Sequence, residues 1–474
     1  MTRIQFGTSG WRGIIADDVT FARARVVVQS IADHLKAAGL EERGIVVGYD
    51  TRFLAERFAQ EAAKVLTANG IRVFLCDRDT PTPVVAYEIV RRQAGGAITI
   101  TASHNPPEYS GIKFSTATGG PALPDLTRFI EARANERWAN PQIEMLEIDL
   151  AEKSGLLTMI DPSGPYLTHL QSLVNYGAIR EATLRVVVDP LFGTGRGYLD
   201  EACREAGCDV EVLHDWRDPV FGGGPPDPSP QRLLELRERV VKRKAHLGLA
   251  TDGDADRFGI VDADGTVVSA NQILALLLKH LLTTRPLSGG VARSVATTHL
   301  VDAVARHFQV PRYETPVGFK YLGEFIMQGE VILAGEESAG LSIRGHVPEK
   351  DGILACLLVA ELVATQRRAS LRQLLDELYA EVGTLLSRRI DLELKPEERD
   401  RLLEKLEEPP PQLLGRNIEG IQRVDGTKLL LEDGSWILIR PSGTEPVVRV
   451  YVEAKNAKDL ERLTEAAHEL VYGA

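Results

Sequence analysis

The sequence predicts an α/β protein made of three related layered units, followed by a separate α+β domain with an antiparallel sheet. Three observations carry that reading. A strand–helix rhythm returns three times, the pattern changes to half-exposed alternating strands near residue 381, and 474 residues are too many for one ordinary core.

The rhythm begins at residues 45–50, a short apolar run that reads as a buried strand, with residues 54–68 as the following helix. Residues 71–75 and 97–100 are the next strands. The same order returns at 186–190, with a helix near 197–206, and at 247–250. It appears again around 294–298, with a helix from about 301 to 308. Strands alternating with helices in this way imply layered α/β units, and three such blocks suggest one unit used three times. Residues 389–394 and 448–453 instead alternate polar and apolar, as half-exposed antiparallel strands do. Pro409-Pro410-Pro411 marks a loop, and residues 457–471 form a closing amphipathic helix. The expected domains are therefore 1–148, 149–260, 261–380 and 381–474.

Composition narrows the function. With 44% hydrophobic and 26% charged residues the chain reads as globular, and a net charge of −12 argues against a nucleic-acid binder. It does not argue against phosphate binding, because a few converging Arg and Lys residues build a local positive field on an acidic protein. Four cysteines without a CxxC pair read as free thiols. The N-terminal segment lacks a signal-peptide pattern, and no apolar run approaches a membrane span, so a cytoplasmic location is expected.

Four segments carry chemistry. In Thr99-Ile100-Thr101-Ala102-Ser103-His104-Asn105-Pro106 a strand ends in small and polar residues, where open α/β sheets place ligands. Ser103 there is a candidate nucleophile if a base or metal activates it, and His104 and Lys113 are close enough for proton transfer. In isolation the segment reads more readily as a turn, which Asn-Pro favours. Thr251-Asp252-Gly253-Asp254-Ala255-Asp256-Arg257 offers Asp252, Asp254 and Asp256 as hard oxygen ligands for a divalent cation. It is no EF-hand, since the sixth position holds Arg257 and the twelfth Ala263. A solvated Asp-rich turn is the alternative, but three carboxylates on one loop repel unless a cation or Arg257 compensates them.

Gly335-Glu336-Glu337-Ser338-Ala339-Gly340 also follows an apolar run, and its carboxylates suit sugar hydroxyls. Gly318 and Lys320 lie upstream in a flexible loop, and Glu349-Lys350-Asp351-Gly352 adds another lysine. Finally, Arg440-Pro441-Ser442-Gly443-Thr444-Glu445-Pro446, with Arg449 beyond it, has the free N–H groups, hydroxyls and guanidinium forks of an anion cradle. Gly193-Thr194-Gly195-Arg196-Gly197 lacks dinucleotide-loop spacing, and Gly222-Gly223-Gly224-Pro225-Pro226 reads as a connector.

Four such loops in this order resemble the α-D-phosphohexomutase superfamily, the phosphoglucomutases and their relatives. The resemblance runs from Phe6-Gly7-Thr8-Ser9-Gly10-Trp11-Arg12-Gly13 to the Arg440 loop, nearly the whole chain. It implies four domains around a central cleft, three mixed-sheet α/β units and a C-terminal α+β domain, each giving one loop. It implies phosphoserine at Ser103, with one Mg²⁺ per chain on Asp252, Asp254 and Asp256 against that phosphate. Arg12 and Arg257 would support charge, and Lys113 or His104, with Lys113 preferred, would assist proton transfer. Glu336 and Ser338 would bind sugar hydroxyls, and Gly318, Lys320 and Lys350 would add specificity. Arg440, Ser442, Gly443, Thr444 and Arg449 would grip the phosphate that is not reacting.

The implied reaction interconverts glucose 1-phosphate and glucose 6-phosphate through glucose 1,6-bisphosphate, which also serves as activator. Gly-Glu-Glu-Ser, with Glu337 where related groups have Met or Gln, favours glucose, while Phe319 departs from the usual Trp of that branch. Phosphomannomutase or phosphoglucosamine mutase activity, a phosphatase, and a non-catalytic sugar-phosphate-binding relative are the alternatives. A monomer or homodimer is expected.

Overall fold

The computed structural model describes residues 3–7, 10–286, 288–441 and 447–473. In it the apolar run at 45–49 becomes a central strand of a seven-stranded sheet. Ile45–Tyr49 runs parallel to Val73–Cys76 on one side and to Gly96–Ile100 on the other. Tyr109–Thr116 then returns antiparallel to Gly96–Ile100. All five residues of Ile45–Tyr49 and of Gly96–Ile100 are buried, as expected of strands covered on both faces. The sheet takes its seventh strand, Leu157–Ile160, from beyond the seam expected near residue 148. After the exposed stretch at 139–147 the chain comes back to pair with Val73–Cys76.

The same four-strand motif recurs twice. Arg185–Asp189 lies between parallel neighbours Asp209–Val212 and Leu247–Thr251, and Phe258–Asp262 turns back antiparallel. This second sheet continues to Val267–Val268, past the seam expected near 260. Gly290–Ser294 lies between parallel Arg312–Thr315 and Val331–Glu336, and Gly340–Ile343 turns back antiparallel. The expected strand around 294–298 therefore ends where it was thought to begin. Gly290 enters the sheet where a Cβ would lie 2.1 Å from Pro311 O.

The second and third units share one continuous core. Its centre is the helix Gly352–Thr365, buried from Gly352 through Val363, because its sequence is apolar all round. The single acid on it, Glu361, is held by His280 at 2.9 Å, Arg285 at 3.0 Å and the Asn175 N–H at 2.8 Å. The C-terminal unit is an antiparallel sheet in which Leu386–Glu393, Val447–Ala454, Trp436–Pro441, Thr427–Leu431, Arg416–Gln422 and Gln412–Leu413 follow in space. Helices Pro396–Glu407 and Ala457–Tyr472 supply Leu402, Leu406, Leu463 and Ala467 to the core on one face. Val448, Val450 and Val452 meet them, while Arg449, Tyr451 and Glu453 alternate to the other face.

Candidate active site

Ser103 leaves the Gly96–Ile100 strand in a turn that one guanidinium holds. Its φ of +53° lies in the left-handed region, which disfavours an L-residue by about 1–2 kcal/mol. Buried Arg52 offsets this. Its Nη1 donates to Pro106 O at 2.6 Å and Tyr109 O at 2.9 Å, and its Nη2 to Ser103 O at 2.7 Å and Asn105 O at 2.5 Å. Arg52 Nε bonds Asp50 at 3.1 Å, and the Thr101 hydroxyl donates to the same carboxylate at 2.6 Å. Thr101 Oγ1 in turn accepts the Ser103 N–H at 2.8 Å. Asp50 and Arg52 are functional candidates that the sequence reading missed. The available signal was a charged pair directly after a wholly apolar strand.

The Asp loop meets this turn. Ser103 Oγ donates to Asp252 Oδ2 at 2.8 Å, and a Cβ on Gly253 would lie 2.7 Å from Ser103 O, so glycine permits the approach. Asp254 Oδ2 accepts from the Thr82 hydroxyl and from Lys113 Nζ, both at 2.6 Å. Asp256 Oδ2 accepts from Lys113 at 2.8 Å and lies 2.9 Å from Lys350 Nζ. The two glycine-rich segments read as a non-nucleotide loop and a connector brace the loop from behind. Thr194 N–H donates to Gly253 O at 3.0 Å, and Gly253 N–H to Pro226 O at 3.1 Å.

The donor set fits a hard divalent cation. One oxygen from each carboxylate lies within 4.8 Å of the others, and Asp254 Oδ1 and Asp256 Oδ1 are buried without hydrogen-bond partners among the described residues. Burial, then repulsion from Asp254 and Asp256, drives the Asp252 carboxyl well above its ordinary range. Burial, then repulsion from Asp256, opposes ionisation of Asp254, but Lys113 and the Thr82 hydroxyl together bring it below its ordinary range, and Lys113, Lys350 and Arg257 together do so for Asp256 against its burial. A dication would relieve the repulsion that these lysines share.

Further cations close the pocket. Arg12 sits opposite Gly111 in the strand Gly10–Ile14, and its Nη1 donates to Asn105 Oδ1 at 2.7 Å. The Arg257 N–H donates to Asp252 Oδ1 at 3.0 Å, and its Nε lies 4.0 Å from Asp256. His104 Nδ1 is 3.4 Å from Ser103 Oγ. Burial, then the charges of Arg257 and Arg12, push His104 well below the usual imidazole range, so it is neutral. Lys113 goes the other way. Burial opposes its charge, yet Asp254 and Asp256 raise it, so it is an ammonium.

On the third unit, Glu336 ends a strand and accepts the Gly318 N–H at 2.8 Å, with Gly318 at φ +130°. Burial, then Glu337, raises Glu336 to about 7. Ser338 lies in the short turn after Glu336, and Gly10, Lys113, Phe319, Lys320 and Lys350 line one cleft between the first and third units. The structure thus brings Ser103, His104, Arg12, Lys113, Lys350, Arg257 and the three Asp into one cluster. Arg440 and Arg449 stand on the fourth unit instead, opposite each other on neighbouring strands. Arg440 Nε is 2.9 Å from Asp425 and Arg449 Nε 4.0 Å from Asp391. Ser442, Gly443 and Thr444, between them, lie outside the described residues.

Three mixed-sheet units that share a four-strand motif, closed by an antiparallel C-terminal unit, define the phosphohexomutase class of isomerases, which move a phosphoryl group within a sugar phosphate. Models of the phosphoglucomutase/phosphomannomutase family match in order: domain I over residues 3–140, domain II over 164–265, domain III over 269–382 and the C-terminal domain over 396–470. The chain belongs to this family. It is 30% identical to a phosphoglucomutase of Komagataeibacter xylinus, over 99% of this chain and 91% of the relative. It is 32% identical to a Methanothermobacter thermautotrophicus protein named "Probable phosphoglucosamine mutase", over 95% and 94%. A crystal structure assigned as a phosphomannomutase from Thermus thermophilus superposes with a TM-score of 0.86 at 32% identity, over 99% of both chains.

Proposed function

We propose that the chain interconverts glucose 1-phosphate and glucose 6-phosphate, with Ser103 as phosphoryl carrier and glucose 1,6-bisphosphate as intermediate. The observation that carries this reading is the buried Ser103 hydroxyl, 2.8 Å from Asp252, whose loop carries two more buried carboxylates paired with Lys113 and Lys350. Such a constellation suits phosphoryl transfer, which depends on positioning and charge neutralisation. Asp252, Asp254, Asp256 and an oxygen on Ser103 would hold one Mg²⁺, which when bound neutralises charge on the transferring group.

In the first half-reaction the bond between Ser103 Oγ and phosphorus breaks as the sugar 6-hydroxyl oxygen bonds phosphorus. The hydroxyl proton leaves to a base, and Ser103 Oγ keeps the electron pair until it is reprotonated. His104, 3.4 Å from Ser103 Oγ, and Lys113 are the candidates for these proton transfers, with Lys113 preferred. The bisphosphate then turns around, and Ser103 Oγ takes the phosphoryl group from the 1-position. Arg12 and Arg257 balance charge at the reacting end. Glu336 and Ser338, with Gly318, Lys320 and Lys350, bind the sugar, while Arg440 and Arg449, with residues 442–444, grip the distal phosphate.

Glu337 and the relative named phosphoglucomutase support glucose as the sugar. The relatives named for glucosamine and mannose phosphates make those sugars the second reading. The test compares kcat/KM for glucose, mannose and glucosamine 1-phosphates, with Ser103→Ala as control. Glucose 1-phosphate is expected to lead, and the parent protein to carry one phosphate adduct on Ser103 by intact mass. Unchanged turnover by Ser103→Ala would end this reading, and phosphate release matching substrate consumption would replace it with a phosphatase.

A further inference from the structure

A chain of titratable side chains runs through the seam between the first three units, away from the reacting groups. Tyr87 of the helix Thr82–Arg92 stacks on His169 of the helix Ser163–Leu173, with centroids 4.6 Å apart. His169 Nε2 is 3.1 Å from His346 Nδ1, and His346 Nε2 is 2.8 Å from Asp351 Oδ2. The Tyr166 hydroxyl donates to the same Asp351 oxygen at 2.6 Å. A carboxylate oxygen accepts, so the Tyr166 hydroxyl and an N–H on His346 Nε2 both converge on the one Asp351 oxygen. Burial, then the Asp351 charge, holds Tyr166 well above its ordinary range, so it remains a phenol donor.

Asp351 is the residue after Lys350. Its Oδ1 accepts the Leu354 N–H at 2.8 Å and caps the helix Gly352–Thr365. That cap needs only one oxygen, whereas the second is fixed by donors from two other segments. The surrounding backbone is clamped as well. Asp351 N–H donates to Leu341 O at 2.9 Å and Gly352 N–H to Ala255 O at 3.0 Å. A Cβ on Gly352 would lie 2.2 Å from Arg257 O, so the helix start presses directly on the Asp loop. The Lys350 stem crosses Gly340, where a Cβ would lie 2.3 Å from Lys350 Cδ, before its ammonium reaches Asp256.

We propose that Tyr166 and His346, acting through Asp351, are positioning residues for Lys350, setting its ammonium between Asp256 and the substrate. The fit of the second unit against the third is thereby transmitted to the substrate pocket. This rests on Lys350 being a substrate-binding residue, as proposed above.

A double-mutant cycle on the full chain, assayed with glucose 1-phosphate, tests it. Tyr166→Phe removes one donor and keeps the ring, and it should lower kcat/KM about five- to tenfold. In the Lys350→Ala background the same change should cost less than about twofold, because the group being positioned is gone. His346→Gln, which keeps an N–H toward Asp351, should retain most activity, whereas His346→Leu should behave like Tyr166→Phe. Equal losses from Tyr166→Phe in both backgrounds would overturn the proposal and leave the mutase reading intact. A Lys350→Ala enzyme as active as its parent would remove the premise. If Tyr166→Phe does not fold, His346→Leu takes its place in the same cycle, with the same two outcomes.

Discussion

Arg52 touches no group that reacts in the proposed cycle, yet four carbonyls of the Ser103 turn converge on its guanidinium. A lysine there would offer fewer donors and no fork, so Ser103 would drift from its left-handed geometry. Arg52→Lys is expected to lower kcat about a hundredfold, since misplacement of a reacting atom by an ångström costs that much, with KM little changed. A steady-state kcat within twofold of the parent would refute this. Ser103 stands out in the sequence only together with the Asp252, Glu336 and Arg440 loops, since its own segment reads more readily as a turn. Arg52 does not stand out, because its partners lie 51 to 57 residues further on and the sequence shows no sign of that pairing.

At the scale of elements, the Ser103, Asp252 and Glu336 segments occupy one topological position. Each fills the turn between the third strand of the shared motif and the antiparallel fourth. Each turn carries a non-glycine residue in the left-handed region: Ser103 at +53°, Ala255 at +56° and Ala339 at +67°. The sequence made the strands before these turns visible, as apolar runs, and so located the turns. It did not show that the sheets gain Leu157–Ile160 and Val267–Val268, because such edge strands are too short for periodicity to register. Glu336 gives this scale its prediction. Its acid form persists to about pH 7 instead of 4.5. A raised carboxyl stabilises the fold fully below the unfolded value and loses that contribution as pH rises through 7. Above that pH it accepts bonds from sugar hydroxyls without donating. kcat/KM should therefore rise through about pH 7, and Glu336→Gln should flatten that rise while losing about tenfold or more. An unchanged inflection in Glu336→Gln would assign it to another group.

For the whole molecule, the contact between the third and fourth units joins an apolar cluster of Val295, Ala296, Trp436, Leu438 and Tyr451 to a set of buried polar bonds. Glu453 accepts from the Thr298 hydroxyl, from the His299 N–H at 3.0 Å and from Trp436 Nε1 at 2.7 Å. Beside it Lys428, fully buried, donates to Val295 O at 2.8 Å with its ammonium 4.0 Å from the Trp436 ring centre. Glu453→Ala leaves three buried donors without an acceptor, a cost of about 2–4 kcal/mol. Hydrogen exchange should quicken at residues 295–300 and 428–436 and remain unchanged in the first sheet. Protection equal to the parent's at those segments would mean that Glu453 does not join the units. Residue patterning revealed the fourth unit's separate character, but not this contact, since a strand pattern records which face is buried and not what covers it.

The turn that recurs in all three α/β units bears on how such a protein changes over generations. A duplicated ancestor with one useful turn would hold three copies, each free to specialise while the others kept their work. On the function proposed above the labour is divided, with phosphoryl carriage on one copy, cation holding on the second and sugar contact on the third. Selection for a new sugar can then fall on Gly318, Lys320 and residues 336–338 of the third copy, with Ser103 and the Asp loop kept as they are.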